Sequence, residues 1–243
     1  MLVETSMWEE KYKVHSFLTD RYCRLSVPAI SQLFQETAEA HTNAYNMGYH
    51  SMISQGKAWV LLRVYYEVTD YPRIYEDMTM RTWSRGYKGP IAFRDFEIRN
   101  SAGEVVIKGT STWCIIDINS RMPQRCDKVM EGFPQCSRTA VAKELTKLQP
   151  GTEGEVVNSF KSPFMAIDKA QHTNNAMYMR WVMNALDETD QKRNVRSVDI
   201  SYVRETPMND VITIKRHRPS ADEYNFVMEN SRGLSMICNL RLE

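Results

Sequence analysis

Apolar and polar positions change their period repeatedly along this chain, and each change marks an element. Met7 to Phe17 alternates loosely, as a strand does. Thr19 to Ser26 is a polar turn, and Pro28 sits where proline suits a helix start. Ile30, Leu33, Phe34, Thr37, Ala38, His41 and Tyr45 then mark one face of a helix predicted to run to about Asn46, with Gly48 as its C-terminal stop. Lys57 to Val68 is a β-branched and aromatic strand, broken by Asp70-Tyr71-Pro72. Asp77 to Trp83 is the next strand, and Gly86 and Gly89-Pro90 mark a turn. Ala92–Arg99 and Glu104–Asp117 read as a hairpin about Asn100–Gly103.

The segment 119–154 loses this patterning and carries Pro123, Pro134 and Pro150, so it reads as a linker with a short helix near Ala140–Leu148. After it the order repeats: a strand at Glu155–Phe160, a polar turn at Asp168, and a helix to about Leu186. Strands follow at Ser197–Val203, Val211–His217, Tyr224–Glu229 and Leu234–Leu242. The repetition reaches the letters. Phe96–Gly103 (F-E-I-R-N-S-A-G) aligns with Phe226–Gly233 (F-V-M-E-N-S-R-G), and Asp77-Met-Thr-Met answers Asp210-Val-Ile-Thr-Ile.

Each half is therefore a strand, one long helix, and four strands able to pair antiparallel. A helix this apolar must be wrapped by its sheet. That pattern predicts an α+β fold, a tandem double hot-dog, with an N-terminal hot-dog over 1–125, a linker over 126–153 and a C-terminal hot-dog over 154–243. Composition adds exclusions. A net charge of +1 lacks the basic excess of a general nucleic-acid binder. Five cysteines without a C-x-x-C pair suit reduced thiols, and no apolar run approaches a membrane span. The expected setting is cytoplasmic, and a homodimer is compatible with it.

Candidate chemistry concentrates in Ser162–Leu186. Here Asp168 precedes His172 by one turn's worth of chain, and Thr173, Asn174 and Asn175 offer side chains that cap a helix. The helix that follows carries Met177, Tyr178, Trp181, Val182, Ala185 and Leu186 on one face. A helix N-terminus with free N–H groups suits a developing oxyanion. Setting Asp20 on Asp168 puts Arg24 at the position of His172 and Ser26 at that of Asn174. The imidazole is thus absent from the first half, and chemistry is expected in the second, with the first supplying pocket wall.

These residues resemble those of the acyl-acyl carrier protein thioesterases of plants and bacteria, over nearly the whole chain. Asp168, Gln171, His172, Asn174, Asn175, Tyr178 and Trp181 look like that family's D-x-N-x-H-V-N-N block and the helix after it. Ile200, Tyr202, Glu205 and Thr206 resemble its L-x-Y-x-x-E-C block, and Trp59–Arg63 and Arg94-Asp95-Phe96 its first-half pieces. The resemblance implies a thioester hydrolase that releases free fatty acid from acyl carrier protein and ends chain elongation. It implies a site of Asp168, His172 and Glu205, with no cofactor or metal.

On this reading Glu205 is the general base, His172 orients the water or relays a proton, and Asp168 fixes the imidazole. The N–H groups near Asn174 and Asn175 are the oxyanion candidates. Two positions depart from the family: Ala170 stands where it has asparagine, and Thr206 where a cysteine often follows the glutamate. The implied partner is a carrier protein bearing a phosphopantetheine-linked acyl chain. Lys215–Arg218 and Lys192–Arg196 are candidate basic patches for it, and the first helix and the Trp59–Val64 strand are expected to line the acyl chain's far end. An acyl-CoA thioesterase, a hot-dog dehydratase and a non-catalytic acyl-thioester binder remain as alternatives.

Overall fold

Strand alternation and helical periodicity become elements close to their expected bounds. The computed structural model describes residues 6–151 and 154–243. They divide into two compact units, one holding the chain to Leu25 and Gln32–Glu144, the other Ser26–Ser31 and Leu145–Glu243.

The first unit carries β1 (Met7–Lys13), helix α1 (Val27–Asn43) from Gln32 onward, helix α2 (Tyr49–Ser54), β2 (Lys57–Val68), β3 (Asp77–Lys88), β4 (Ile91–Arg99), β5 (Val105–Asp117) and the two-residue β6 (Pro123–Gln124). Its strands pair antiparallel in the order β1-β3-β4-β5-β2, with β6 on β5. Phe34 of α1 lies flat on Phe96 of β4, with ring centroids 4.3 Å apart, and meets Tyr66 of β2 edge-on. Gly109 in β5 makes room for this packing. A Cβ there would stand 2.5 Å from the Phe34 ring.

Four local features differ from the sequence expectation. Helix α1 ends through Asn46, not Gly48. Asn46 takes a positive φ of 57°, and Met47 N–H returns to the Thr42 carbonyl at 2.8 Å, closing the helix as glycine more often does. Gly48 instead caps the start of α2 and yields space to Asn43, whose Oδ1 would be 1.7 Å from a Cβ. Gly86 is a bulge inside β3 and not a turn, which carries that strand past Trp83 to Lys88. Residues 140–148 hold neither helix nor strand. The start of the stretch read as a linker packs inward, with Cys126, Met130 and Phe133 joining Met47, Met52 and Ile115 in one apolar cluster.

The second unit carries β7 (Glu155–Lys161), α3 (Asn175–Asn184), β8 (Val195–Tyr202), β9 (Val211–Ser220), β10 (Glu223–Asn230) and β11 (Gly233–Leu242). Its order is β7-β9-β10-β11-β8, the order of the first unit element for element. Trp181 of α3 meets Phe160 of β7, and Tyr178 meets Tyr202 of β8, both edge-on. The β4–β5 and β10–β11 turns both close on a positive-φ glycine, Gly103 and Gly233, where a side chain would be strained.

Candidate active site

The Asp168 turn is built by its own backbone. A one-turn 3-10 helix, Phe164–Ala166, feeds it. Asp168 N–H then donates to the His172 carbonyl at 3.0 Å, and Gln171, at a φ of 66°, donates its N–H to the Asp168 carbonyl. The Asp168 carboxylate accepts the Ala170 N–H at 2.8 Å. It therefore braces the turn. Among the described hydrogen bonds it has none with the His172 ring, so its expected bond to the imidazole is replaced by closure of the loop that presents the imidazole.

That ring meets a different acid. His172 Nε2 lies 3.2 Å from Glu205 Oε1, with about 28% of the imidazole side chain and 31% of the carboxylate side chain exposed. A carboxylate only accepts hydrogen bonds, so this contact places a proton on Nε2. Glu205 follows the end of β8 and is held through its backbone. Its carbonyl accepts from Asn230 Nδ2 at 3.1 Å and from Arg232.

Thr206 anchors the same corner from within. Its buried hydroxyl accepts from Tyr178 Oη at 2.8 Å and from Asn230 Nδ2 at 3.0 Å, while its carbonyl accepts both the N–H and the hydroxyl of Thr173. Burial pushes the Tyr178 phenol above its ordinary pKa, so it stays a donor. Thr206 thus joins α3, the His172 turn and the Glu205 strand end. Tyr178, Asn230, Arg232 and Thr173 make this scaffold, and the sequence reading gave none of them a role in positioning Glu205.

The start of α3 is capped by Asn174, whose side chain accepts the Ala176 N–H at 2.8 Å. Asn174 N–H donates to the Ala166 carbonyl, so it is already engaged. The Asn175 N–H has no acceptor among the described hydrogen bonds, as is usual for the first N–H groups of a helix. Ala170 is exposed on the turn, and no described hydrogen bond runs from the Gln171 side-chain amide beside it. Exposed apolar side chains flank the pair: Phe164 and Met165 before it, Val203 and Met208 around Glu205.

The first half of the chain repeats the frame with other side chains. Asp20 N–H donates to the Arg24 carbonyl at 2.8 Å, and Cys23 takes a φ of 59°. Ser26 Oγ accepts from Ala29 N–H at the start of α1. Leu25 N–H donates to Pro72 O as Thr173 N–H does to Thr206 O, which sets Tyr71 at the place of Glu205. Here Arg24 pairs with Asp20 at 2.8 Å and lies over the Tyr71 ring at 5.4 Å. An ion pair and a ring stand where the second unit has an imidazole and a carboxylate.

The frame, the dyad and its flanking strands can now be set beside known proteins. The profile of the acyl-ACP thioesterase N-terminal domain matches residues 5–132, and that of the C-terminal domain matches residues 151–239. This chain belongs to the acyl-ACP thioesterase family. It is 24% identical over 226 residues to oleoyl-acyl carrier protein thioesterase 2, chloroplastic, of Arabidopsis thaliana, covering 84% of this chain. It spans 61% of that relative's length. An acyl-ACP thioesterase of Bacteroides thetaiotaomicron shares its fold at a TM-score of 0.91 with 18% identity, over 99% of both chains. A 12:0-ACP thioesterase of Umbellularia californica does so at 0.86 with 19% identity, over 98% of this chain and 97% of its own. The fold of this family member is the double hot-dog.

Neither basic run is an open patch. Lys215 pairs with Glu229 at 2.8 Å, Arg216 with Asp187 at 2.6 Å, and Arg218 with Asp190 at 2.7 Å. Arg193 pairs with Asp222 and Asp190, and Arg196 with Glu243. The sequence counted cations and could not show the carboxylates that folding brings to them.

Proposed function

We propose that the chain hydrolyses the thioester of acyl-acyl carrier protein, releasing the free fatty acid and the carrier's thiol. The observation that supports it is the 3.2 Å His172–Glu205 contact beside the start of α3, in a chain of this family. Glu205 takes a proton from water as the oxygen attacks the thioester carbon. The charge that develops on the carbonyl oxygen faces the Asn175 N–H, a donor already fixed in place. When the intermediate collapses the C–S bond breaks, and Glu205 returns its proton to the leaving thiolate, with the His172 Nε2–H holding the carboxyl group in place. Asp168 keeps the loop closed so that the imidazole stays within reach. The apolar residues Phe164, Met165, Val203 and Met208 suit an acyl thioester at the mouth.

The same reading assigns the chemistry to residues 154–243, treats 126–153 as the connection, and gives 1–125 a binding role. It places the reaction in the cytoplasm, where five free cysteines are at home.

A thiol-release assay with acyl chains of several lengths, on carrier protein and on coenzyme A, tests it. Glu205→Gln and His172→Ala should each lower kcat by about 10²–10⁴, the scale of a general acid–base group. Thiol release from no substrate would make the protein a binder. Equal kcat/KM on coenzyme A thioesters would make it an acyl-CoA thioesterase.

A further inference from the structure

The first unit contains a cavity that is partly open to solvent. Its wall is mostly apolar, with Met47, Trp59, Trp113 and Phe133 prominent in it, and it also includes Arg94. Arg94 sits in β4 and is only 7% exposed. A buried cation ordinarily has a carboxylate beside it, because desolvation alone is costly. Arg94 has none among the described ion pairs. Its Nη1 donates to His41 Nδ1 and to Thr82 Oγ1, each at 3.1 Å, and its guanidinium lies 5.8 Å from the Phe133 ring centroid.

Burial and the neighbouring Arg94 charge hold His41 far below the usual imidazole range, at about 3. His41 is therefore neutral and supplies a lone pair, not a charge. Burial lowers Arg94 to about 10, so it remains a cation near neutral pH. A guanidinium has five N–H donors, and Nη1 uses two. The three on Nε and Nη2 have no acceptor among the described hydrogen bonds. They form one planar edge, the geometry that takes a carboxylate in two parallel hydrogen bonds. The acidic residue of the wall, Glu39, accepts the Tyr49 N–H at 2.8 Å.

We propose that this cavity binds an aliphatic chain ending in a carboxylate, with the Nε and Nη2 edge of Arg94 as the anion's partner and the aromatic wall around the chain. The carboxylate has two sources: a free fatty acid, or the far end of a dicarboxylic acyl thioester. The binding holds whether or not the chain is a hydrolase, and its test uses free ligands; only the choice between the two sources uses thioesters.

Trp59 and Trp113 report on the cavity by their own fluorescence. Titrating the intact protein with decanoate should give a saturable change, and decanol, of the same length without the charge, should bind at least about tenfold more weakly. Arg94→Met should bring decanoate down to the affinity of decanol and leave decanol unchanged. Arg94→Lys, which keeps the charge and loses the fork, should fall between. Ala92→Leu, which narrows the cavity without touching Arg94, should weaken both ligands and carries the test with Arg94→Lys if Arg94→Met does not fold.

Equal affinity for decanoate and decanol in the unaltered protein would overturn the proposal, as would folded Arg94 variants that bind decanoate undiminished. The source is read by comparing decanedioyl and decanoyl thioesters with the Arg94→Lys protein. A selective rise in KM for the decanedioyl form identifies the distal carboxylate, and no selective change with decanoate still bound identifies the free acid.

Discussion

Thr206 joins three pieces of chain through one buried side chain and one carbonyl, and Glu205 is its neighbour. Removing the hydroxyl would leave the Tyr178 phenol without its partner in a dry corner and take one acceptor from Asn230. An unsatisfied buried donor costs about 1–3 kcal/mol, so Thr206→Ala should lower unfolding stability by that amount in urea titrations. The same change should reduce kcat, since the carbonyl anchors that hold Glu205 share Asn230. Asp168 shows the opposite lesson. Its spacing from His172 reads like a side-chain contact, but the positive φ at Gln171 folds the loop so that the carboxylate faces the Ala170 amide. Spacing alone does not specify where a short turn aims its side chains.

At the scale of elements, strands were legible because alternation and β-branched runs are local signals, and β2 spans the residues expected of it. Helix α2 was not, since six residues hold too little periodicity to register. Residues 126–136 looked like linker for a related reason. Their apolar positions are scattered, and only contact with Met47, Met52 and Ile115 gives them a place. At the site, Asp168, His172 and Glu205 stood out by motif, whereas Tyr178 and Asn230 reach Thr206 from distant sequence positions that no local pattern connects.

Two outcomes test the elements. Gly109→Ala would press a methyl against Phe34, and overpacking of this kind costs about 1–3 kcal/mol, to be read as a lower urea midpoint. Arg24→Ala would remove an ion pair from a turn that has neither an imidazole nor a counterpart of Glu205. It should lower Tm while thiol release stays near that of the unaltered protein, and a loss comparable to that of His172→Ala would contradict the division of labour between the units.

For the molecule as a whole, His41 sets an acid limit on stability. It is buried and held neutral, so its folded pKa of about 3 lies below the ordinary 6.5. Above pH 6.5 both folded and unfolded chains carry it neutral, and it makes no pH-dependent contribution. As pH falls below 6.5 the unfolded chain gains a proton that the folded chain refuses. Stability should then fall by about 1.4 kcal/mol per pH unit until the folded ring also titrates near pH 3. Urea unfolding at pH 7, 6, 5 and 4 reads this slope, and His41→Phe should flatten it.

The Asp20 and Asp168 turns share their backbone bonds, their left-handed fourth residue and the capped helix that follows, though only one of them faces a carboxylate. Evolution has in effect run the control experiment inside one polypeptide. What both copies keep is what chain folding demands of this corner, whatever the corner is used for. What they do not share, imidazole against guanidinium and carboxylate against phenol, is the pair of side chains on which the proposed hydrolysis rests.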